Sequence, residues 1–318
     1  MRLLLYLAAS LLTAQTPSLY DYFPTGNPAD CKPRTQAGLL LSGGGGDVDQ
    51  AFQWFLRKAG GGDIVVLRAS GADGYNKYLP SIAAVDSVES FVVKSRAASF
   101  EKFLLRKVRQ AEGIFVAGGD QWNYISMWKT RRSGLLQLHY RRGRPIGGTS
   151  AGLAVLGEFS FSAQHDTVTS KDALHNPFHE KVVLEGDFLH FPPLRNIITD
   201  SHFSRRDRMG RLIVFVARML RSGRANAMGV GVDEATAILV EPNGDGNVVG
   251  KANAYFLKVR GKPAECIPGE PLSISQVEVQ KVKSGATFNF SRWKGGEAYL
   301  LSVKRGIIQT RKHDNLVY

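Results

Sequence analysis

Apolar residues along this chain come in short runs that stop at glycine, and most runs are followed by a segment of helical periodicity. Residues 37–42 (AGLLLS) are a continuous apolar stretch ending at Gly43, Gly44, Gly45 and Gly46. A run this short, with turn residues beyond it, predicts a strand covered on both faces. From residue 47 to residue 59, Val48, Ala51, Phe52 and Phe55 recur at helical spacing. The unit repeats at Asp63–Arg68 (DIVVLR), which stops at Ala69, Ser70 and Gly71, and at residues 113–117 (GIFVA), which stop at Gly118, Gly119, Asp120 and Gln121. Residues 91–93 predict a further strand, and residues 100–111 and 135–141 predict helices. This alternation predicts an α/β fold of three layers, α/β/α, around a mainly parallel sheet. Right-handed crossovers bring the carboxyl ends of such strands to one edge, where ligands bind. The glycine-rich turns 43–46, 118–119 and 147–152 should meet there.

The two ends of the chain depart from the pattern. Met1 and Arg2 precede LLLYLAASLLTA, an apolar run with a small residue at Ala14. Residues 1–14 read as a signal peptide, which implies a secreted or periplasmic protein. Residues 15–36 read as a leader with little periodicity, 37–258 as the catalytic α/β domain, and 259–318 as a β-rich C-terminal extension. No run approaches the ~20 apolar residues of a membrane-spanning helix, so no membrane contact is expected after signal removal. In an exported chain, Cys31 and Cys266 allow one disulfide.

Charge narrows the partners. Lys and Arg number 41 against 28 Asp and Glu, a net charge of +13, and such a surface favours anionic partners. Zinc-finger spacing, interleaved RNA-binding aromatics and basic heptads are missing, so nucleic acid is not expected. The stretch GGGGDVD lacks the third glycine of a dinucleotide fingerprint. His175 and His179 have the spacing of metal ligands, but Pro177 between them breaks the helix that would align them. No cofactor or metal is expected.

One stretch carries chemistry. GGTSAG, residues 147–152, sets Ser150 among small residues between a short apolar run and the helix-forming Leu153, Ala154, Val155 and Leu156. G-x-S-x-G is the pattern of a nucleophile elbow, a strained turn that exposes the serine at its apex. A serine nucleophile needs a base, and the base needs an orienting carboxylate. Of seven histidines, His139 reads as a surface residue, His190 as packed and His313 as part of a polar tail. His202 lies between a strand end at 197–199 and a helix that Ser204 and Asp207 would cap, so it falls on the ligand edge. Arg205, Arg206, Arg208 and Arg211 follow it. At about 100° per residue they cannot share one face, but a subset at a helix N-terminus would make a carboxylate pocket. The acid should follow the strand Met228–Val232, where Asp233 and Glu234 are both candidates. The order Ser, His, acid differs from the Ser, acid, His of α/β-hydrolases.

Taken together, LLLSGGGGDVDQAF, FVAGGDQW, PIGGTSAG, TDSHFSRRDRMGRL and GVDEATA, in that order, resemble the cyanophycinase and aspartyl dipeptidase family of serine peptidases. The resemblance implies a class I glutamine amidotransferase-like, flavodoxin-like core. By position it implies Ser150 as nucleophile, His202 as general base and Glu234 as the orienting acid. Oxyanion donors would be the backbone of Ala151 and of Gly119 or Asp120. The cyanophycinase signature D-x-H-F-x-x-R-x-R-x-x-R-L falls on Asp200, His202, Phe203, Arg206, Arg208, Arg211 and Leu212. It implies a substrate pocket of Gln121, Asp200, Ser201, Arg206, Arg208 and Arg211. The implied activity is that of a serine exopeptidase cutting cyanophycin, poly-aspartate with arginine on each β-carboxyl, to β-aspartyl-arginine; the alternatives are a secreted aspartyl dipeptidase or isopeptidase with a different acidic or β-aspartyl substrate, or a non-catalytic binding protein. The free α-carboxylates of such a substrate suit forked cations. The family often carries Gln where this chain has Ser201. A homodimer is also implied.

Overall fold

The glycine-stopped apolar runs become strands buried on both faces. In the computed structural model, which describes residues 18–130, 134–260, 266–310 and 316–318, the first half of the chain alternates strand and helix. The strands are β1 (Tyr20–Gly26), β2 (Leu39–Ser42), β3 (Asp63–Arg68), β4 (Ser87–Val93), β5 (Gly113–Val116) and β6 (Ile146–Thr149). The helices between them are α1 (Asp49–Lys58), α2 (Gly74–Ile82), α3 (Lys102–Gln110), α4 (Gln121–Trp128) and α5 (Gly134–Arg141). Five strands run parallel in the order β4-β3-β5-β6-β2.

Successive side chains of a strand point to opposite faces, and here the two sets fall into separate cores. Leu39, Leu41, Val65, Leu67, Ile114 and Val116 pack with Leu104, Tyr124 and Leu136 of α3, α4 and α5. Leu40, Ile64, Val66 and Phe115 pack with Phe52 and Phe55 of α1 and Leu79 of α2. This is the expected three-layer arrangement. Phe115 meets the rings of Phe52, Phe55 and Tyr75, and truncating it to alanine should cost about 3–5 kcal/mol.

The second half builds a second sheet. It contains α6 (Ala151–Ala154), β7 (Phe159–Phe161), α7 (Ser170–His175), β8 (Leu184–Gly186), β9 (Ile197–Asp200), α8 (Met209–Arg221) and β10 (Met228–Val232). Then follow β11 (Thr236–Val240), β12 (Asp245–Gly250), β13 (Asn253–Val259), β14 (Ile274–Lys283), β15 (Thr287–Asn289), β16 (Glu297–Lys304) and β17 (Ile307–Thr310). β11, β12 and β15 extend the first sheet beyond β2, and the others order as β17-β16-β14-β13-β10-β9-β7-β8. Val230, Val232 and Phe256 face the core of α3–α5. Ile198, Tyr255 and Leu257 face α8 through Leu212, Phe215 and Val216.

The structure corrects several expectations. The leader contains a strand, because Tyr20 to Gly26 pair antiparallel with Val93 to Ser87, and the Phe91 ring meets Tyr20 edge-on and Tyr22 at a tilt. Residues beyond 259 are continuous with both sheets, since β14 pairs with β13 and β15 with β12. The disulfide is not formed and both thiols are free. Cys31 Sγ lies 3.7 Å from Glu112 Oε2, whereas Cys266 is buried in the core around α8. Helix α8 starts at Met209 instead of near Ser204: Asp207, at φ 47°, leaves the helical path, and its carboxylate accepts from the Tyr318 hydroxyl. His139 is buried against the Pro145 carbonyl, 3.1 Å away, and burial pushes its pKa down to about 3. His190 is partly exposed beside Glu158. Residues 1–14, expected to be a signal peptide, and His313 lie outside the described residues.

Candidate active site

Strand β6 ends at Thr149 and α6 begins at Ala151, which leaves one residue to make the turn. That residue, Ser150, takes φ 53° and ψ −114°. A non-glycine residue held there costs on the order of 1–3 kcal/mol. The glycines of the motif make the turn sterically possible: a Cβ on Gly152 would come within 2.0 Å of the Val116 carbonyl oxygen. The elbow is therefore wedged against the end of β5.

Ser150 Oγ lies 2.8 Å from His202 Nε2, and His202 Nδ1 lies 2.7 Å from Glu234 Oε1. With Nδ1 protonated toward the carboxylate, Nε2 is free to accept the serine proton. His202 sits in the loop between β9 and α8, and Glu234 in the turn between β10 and β11. Burial holds the His202 pKa below its ordinary value of 6.5, with Arg206 and Arg208 adding to the effect and the Glu234 hydrogen bond opposing it. The bond from His202 holds the Glu234 carboxyl below its ordinary range. Asp233, the other candidate acid, is 3% exposed and turned away. Its carboxylate accepts from the backbone N–H groups of Ser204 and Asn253 at 2.8 and 3.2 Å.

The glycine turn after β2 supports all three segments. Ser150 N–H donates to the Ser42 carbonyl at 3.1 Å, His202 N–H to Gly43 at 2.9 Å, and Ala235 N–H to Gly44 at 2.8 Å. A Cβ on Gly44 would lie 2.8 Å from His202 Nε2 and 3.0 Å from Ser150 Cβ, so only glycine fits beneath the pair.

A cavity of about 490 Å³ opens over Ser150, lined by Gly118, Gly119, Asp47, Arg68, Tyr75 and Arg206 among others. Of the expected oxyanion donors, Ala151 follows the serine at the head of α6 and Gly119 lines this cavity. Asp120 lines the neighbouring cavity, and its carboxylate accepts from Trp122 N–H as the cap of α4. Arg68, Ser70 and Tyr75 were not anticipated. Their signal was present in the sequence, because Arg68 and Ser70 close a strand on the ligand edge.

The expected arginine pocket divides in two. A neighbouring cavity of about 630 Å³ is lined by Gln121, Lys171, Arg206, Arg208 and Arg211. Arg211, 2% exposed, clamps Asp200 with Nε at 2.7 Å and Nη2 at 2.6 Å, and Arg208 Nη1 reaches the same carboxylate at 3.2 Å. Burial alone would raise the Asp200 pKa, but Arg211 and then Arg208 hold it below the carboxylate range. Burial pushes Arg208 down to about 10, against the pull of Asp200. Ser201 is buried and supplies its carbonyl to Arg208 at 2.9 Å. Gln121 donates its amide to the Phe161 carbonyl at 2.8 Å. Arg206 differs from its neighbours: it is exposed, lines both cavities, and makes no ion pair among the described residues. Among the described residues, Cys31, Asp63 and Glu112 bring donor atoms within 4.8 Å of one another. Their carboxylates already accept from Ser87, the Cys31 and Asp63 backbones and Arg144.

Comparison with known proteins places the chain in a family and a fold. The family model described as Peptidase family S51 matches residues 40–245. The chain is similar to the cyanophycinases of Synechococcus elongatus and Thermosynechococcus vestitus, at 29% identity over 271 residues, covering 79% of this chain and 79% of each relative. It is also similar to that of Trichormus variabilis, at 28% identity over 210 residues, covering 64% of this chain and 65% of the relative. The crystal structure of a peptidase from an acI-B1 Actinobacterium has the same fold, with a TM-score of 0.55 at 14% identity, covering 81% of this chain and 98% of that one.

Proposed function

Because the chain belongs to peptidase family S51 and is a serine-type peptidase of the cyanophycinase and peptidase E kind, we propose that it is an exopeptidase that cuts cyanophycin to β-aspartyl-arginine. Ser150 Oγ attacks the carbonyl of an aspartyl backbone amide. Its proton passes to His202 Nε2, and Glu234 steadies the imidazolium through Nδ1. The Ala151 and Gly119 N–H groups face the developing oxyanion, an interaction typically worth about 3–4 kcal/mol per donor. His202 returns the proton to the leaving amine, the acyl group stays on Ser150, and water then releases it. The observation that carries this reading is the unbroken chain Ser150–His202–Glu234, at 2.8 and 2.7 Å.

Arg206 is the cation in this scheme for a substrate α-carboxylate, because Arg208 and Arg211 are already committed to Asp200. Those two shape the wall behind it. The apolar run before Ala14 supports action outside the cytoplasm. A second reading, a dipeptidase with another acidic substrate, draws on Ser201, whose buried hydroxyl accepts from Arg208 at 3.4 Å.

The test is to incubate the purified protein with insoluble cyanophycin and analyse the supernatant by mass spectrometry, beside Ser150→Ala. β-Aspartyl-arginine from the native protein alone supports the polymer reading. Cleavage confined to small aspartyl peptides would overturn it in favour of the dipeptidase.

A further inference from the structure

We infer that Arg218, Arg221 and Arg224 form a second binding site, apart from Ser150, for a peptide whose units carry both a carboxylate and a cationic group. The three side chains line one cavity of about 480 Å³ between the end of α8 and the β7–β8 hairpin. Arg218 is half-buried, lies 3.9 Å over the Phe178 ring, and spends one N–H on the Pro177 carbonyl at 2.8 Å. Arg221 sits over the same ring at 5.8 Å, and Arg224 over Phe159 at 5.2 Å. Stacking on a ring fixes a guanidinium while leaving its edge donors free for a planar oxyanion. Among the described residues none of the three makes an ion pair.

Basic residues often gather at a helix C-terminus to satisfy its last carbonyls. The dipole at the end of α8 favours these cations, but its last carbonyls do not need them as partners. The carbonyls of Arg218, Met219 and Leu220 already accept from the backbone N–H groups of Ser222, Arg224 and Gly223. Ring packing and the Arg218 bond to Pro177 hold the guanidiniums in a cationic cluster whose remaining edge donors meet no carboxylate among the described residues.

The ligand class follows from the rim. Asp187 lines the same cavity with its side chain 78% exposed, and its carboxylate lies 3.7 Å from His190 Nε2. Net charge alone would also admit a phosphodiester chain, but the Phe159 and Phe178 faces on which a base would stack are covered by guanidiniums, and the rim offers a carboxylate as well as cations. It matches a unit bearing both signs: the substrate carboxylate on the arginines and a substrate guanidinium on Asp187. Naming the polymer of aspartate and arginine as ligand rests on the proposed function. Arg211, which lines the cavity next to Ser150, and Arg218 lie seven positions apart on α8, about 10 Å along the axis. Units a few residues from the cut would reach the second site.

The test is sedimentation of the full-length Ser150→Ala chain with insoluble cyanophycin, with and without R221E/R224E. Both arginines are exposed, so the fold should survive, and a melting curve checks it. The double reversal should weaken binding on the order of tenfold or more. On the Ser150 background it should leave kcat/KM for a short soluble β-aspartyl-arginine oligomer within about twofold. D187N should weaken binding of cyanophycin but not of poly-aspartate. Unchanged sedimentation of the double variant would overturn the site. Polyphosphate competing as well as cyanophycin, with D187N silent, would overturn the ligand class. Should the native chain fail to cut the polymer, the proposed function falls, while sedimentation, which needs no turnover, still decides on the site.

Discussion

His202 donates its backbone N–H to the carbonyl of Gly43, 2.9 Å away. The adjacent carbonyls of Ser42 and Gly44 receive the segments of Ser150 and Glu234 in the same way. One turn therefore sets the register of three loops that are far apart in sequence. Replacing Gly44, at φ 82°, by alanine would push a methyl between Ser150 and His202. A displacement of ~1 Å in a reacting pair can cost about 10²-fold in rate. G44A is expected to lose at least that much in kcat while still folding, to be checked by kinetics beside thermal melting.

The reacting residues should behave as a unit. S150A and H202A should each abolish turnover, and the double variant should be little worse than either. Clearly additive losses would argue against a shared proton path. E234Q should cost on the order of 10⁴ in kcat, because an amide cannot hold the required tautomer.

Asp233 should respond differently from its neighbour. D233A leaves the backbone N–H groups of Ser204 and Asn253 without their acceptor, which should cost about 1–3 kcal/mol each in stability. Denaturant unfolding should register that loss, and the chemistry in the surviving folded fraction should change far less than in E234Q.

Activity should depend on pH in a defined direction. The serine proton can be taken only by neutral His202, and burial keeps its pKa below 6.5. The kcat/KM profile should thus rise from acid to a plateau, with its midpoint below that value. Arg206 disfavours the imidazolium, so R206Q should move the midpoint up. Its KM for the carboxylate-bearing substrate should also rise.

Asp200 links stability to pH in the same direction, through the fold instead of the chemistry. Its folded pKa is depressed, so its contribution is full above the unfolded value of about 3.9. It is lost as pH falls through the folded value. D200N would leave Arg208 and Arg211 buried without a counter-charge, an expected loss of about 3–5 kcal/mol. A melting series from pH 7 to pH 3 on both proteins checks this.

The sequence made some parts of the molecule plain. β3 and β10 were readable to the residue because a continuous apolar run between turn residues has few other uses. The three glycine turns converged as expected, since parallel topology forces strand ends to one edge. β1 was hidden because Phe23 and Pro24 interrupt its alternation, and its order comes from pairing with β4. Pattern alone did not separate Asp233 from Glu234, because both follow β10 directly and only the fold shows Asp233 engaged by the Ser204 and Asn253 backbones. The arginines were counted as free cations, whereas a sequence does not show that one buried carboxylate, Asp200, consumes two of them.

The antiparallel pairing of β1 along β4 has a consequence for how short the chain can be. Every residue of β4, SVESFVV, is buried, and β1 is what lies along its outer side. A chain trimmed past Gly26 would expose a straight, apolar row of unpaired amides and carbonyls, which is a template for adding strands from other molecules. Proteolytic clipping of those few residues, far from Ser150, would threaten the protein through aggregation before it touched catalysis.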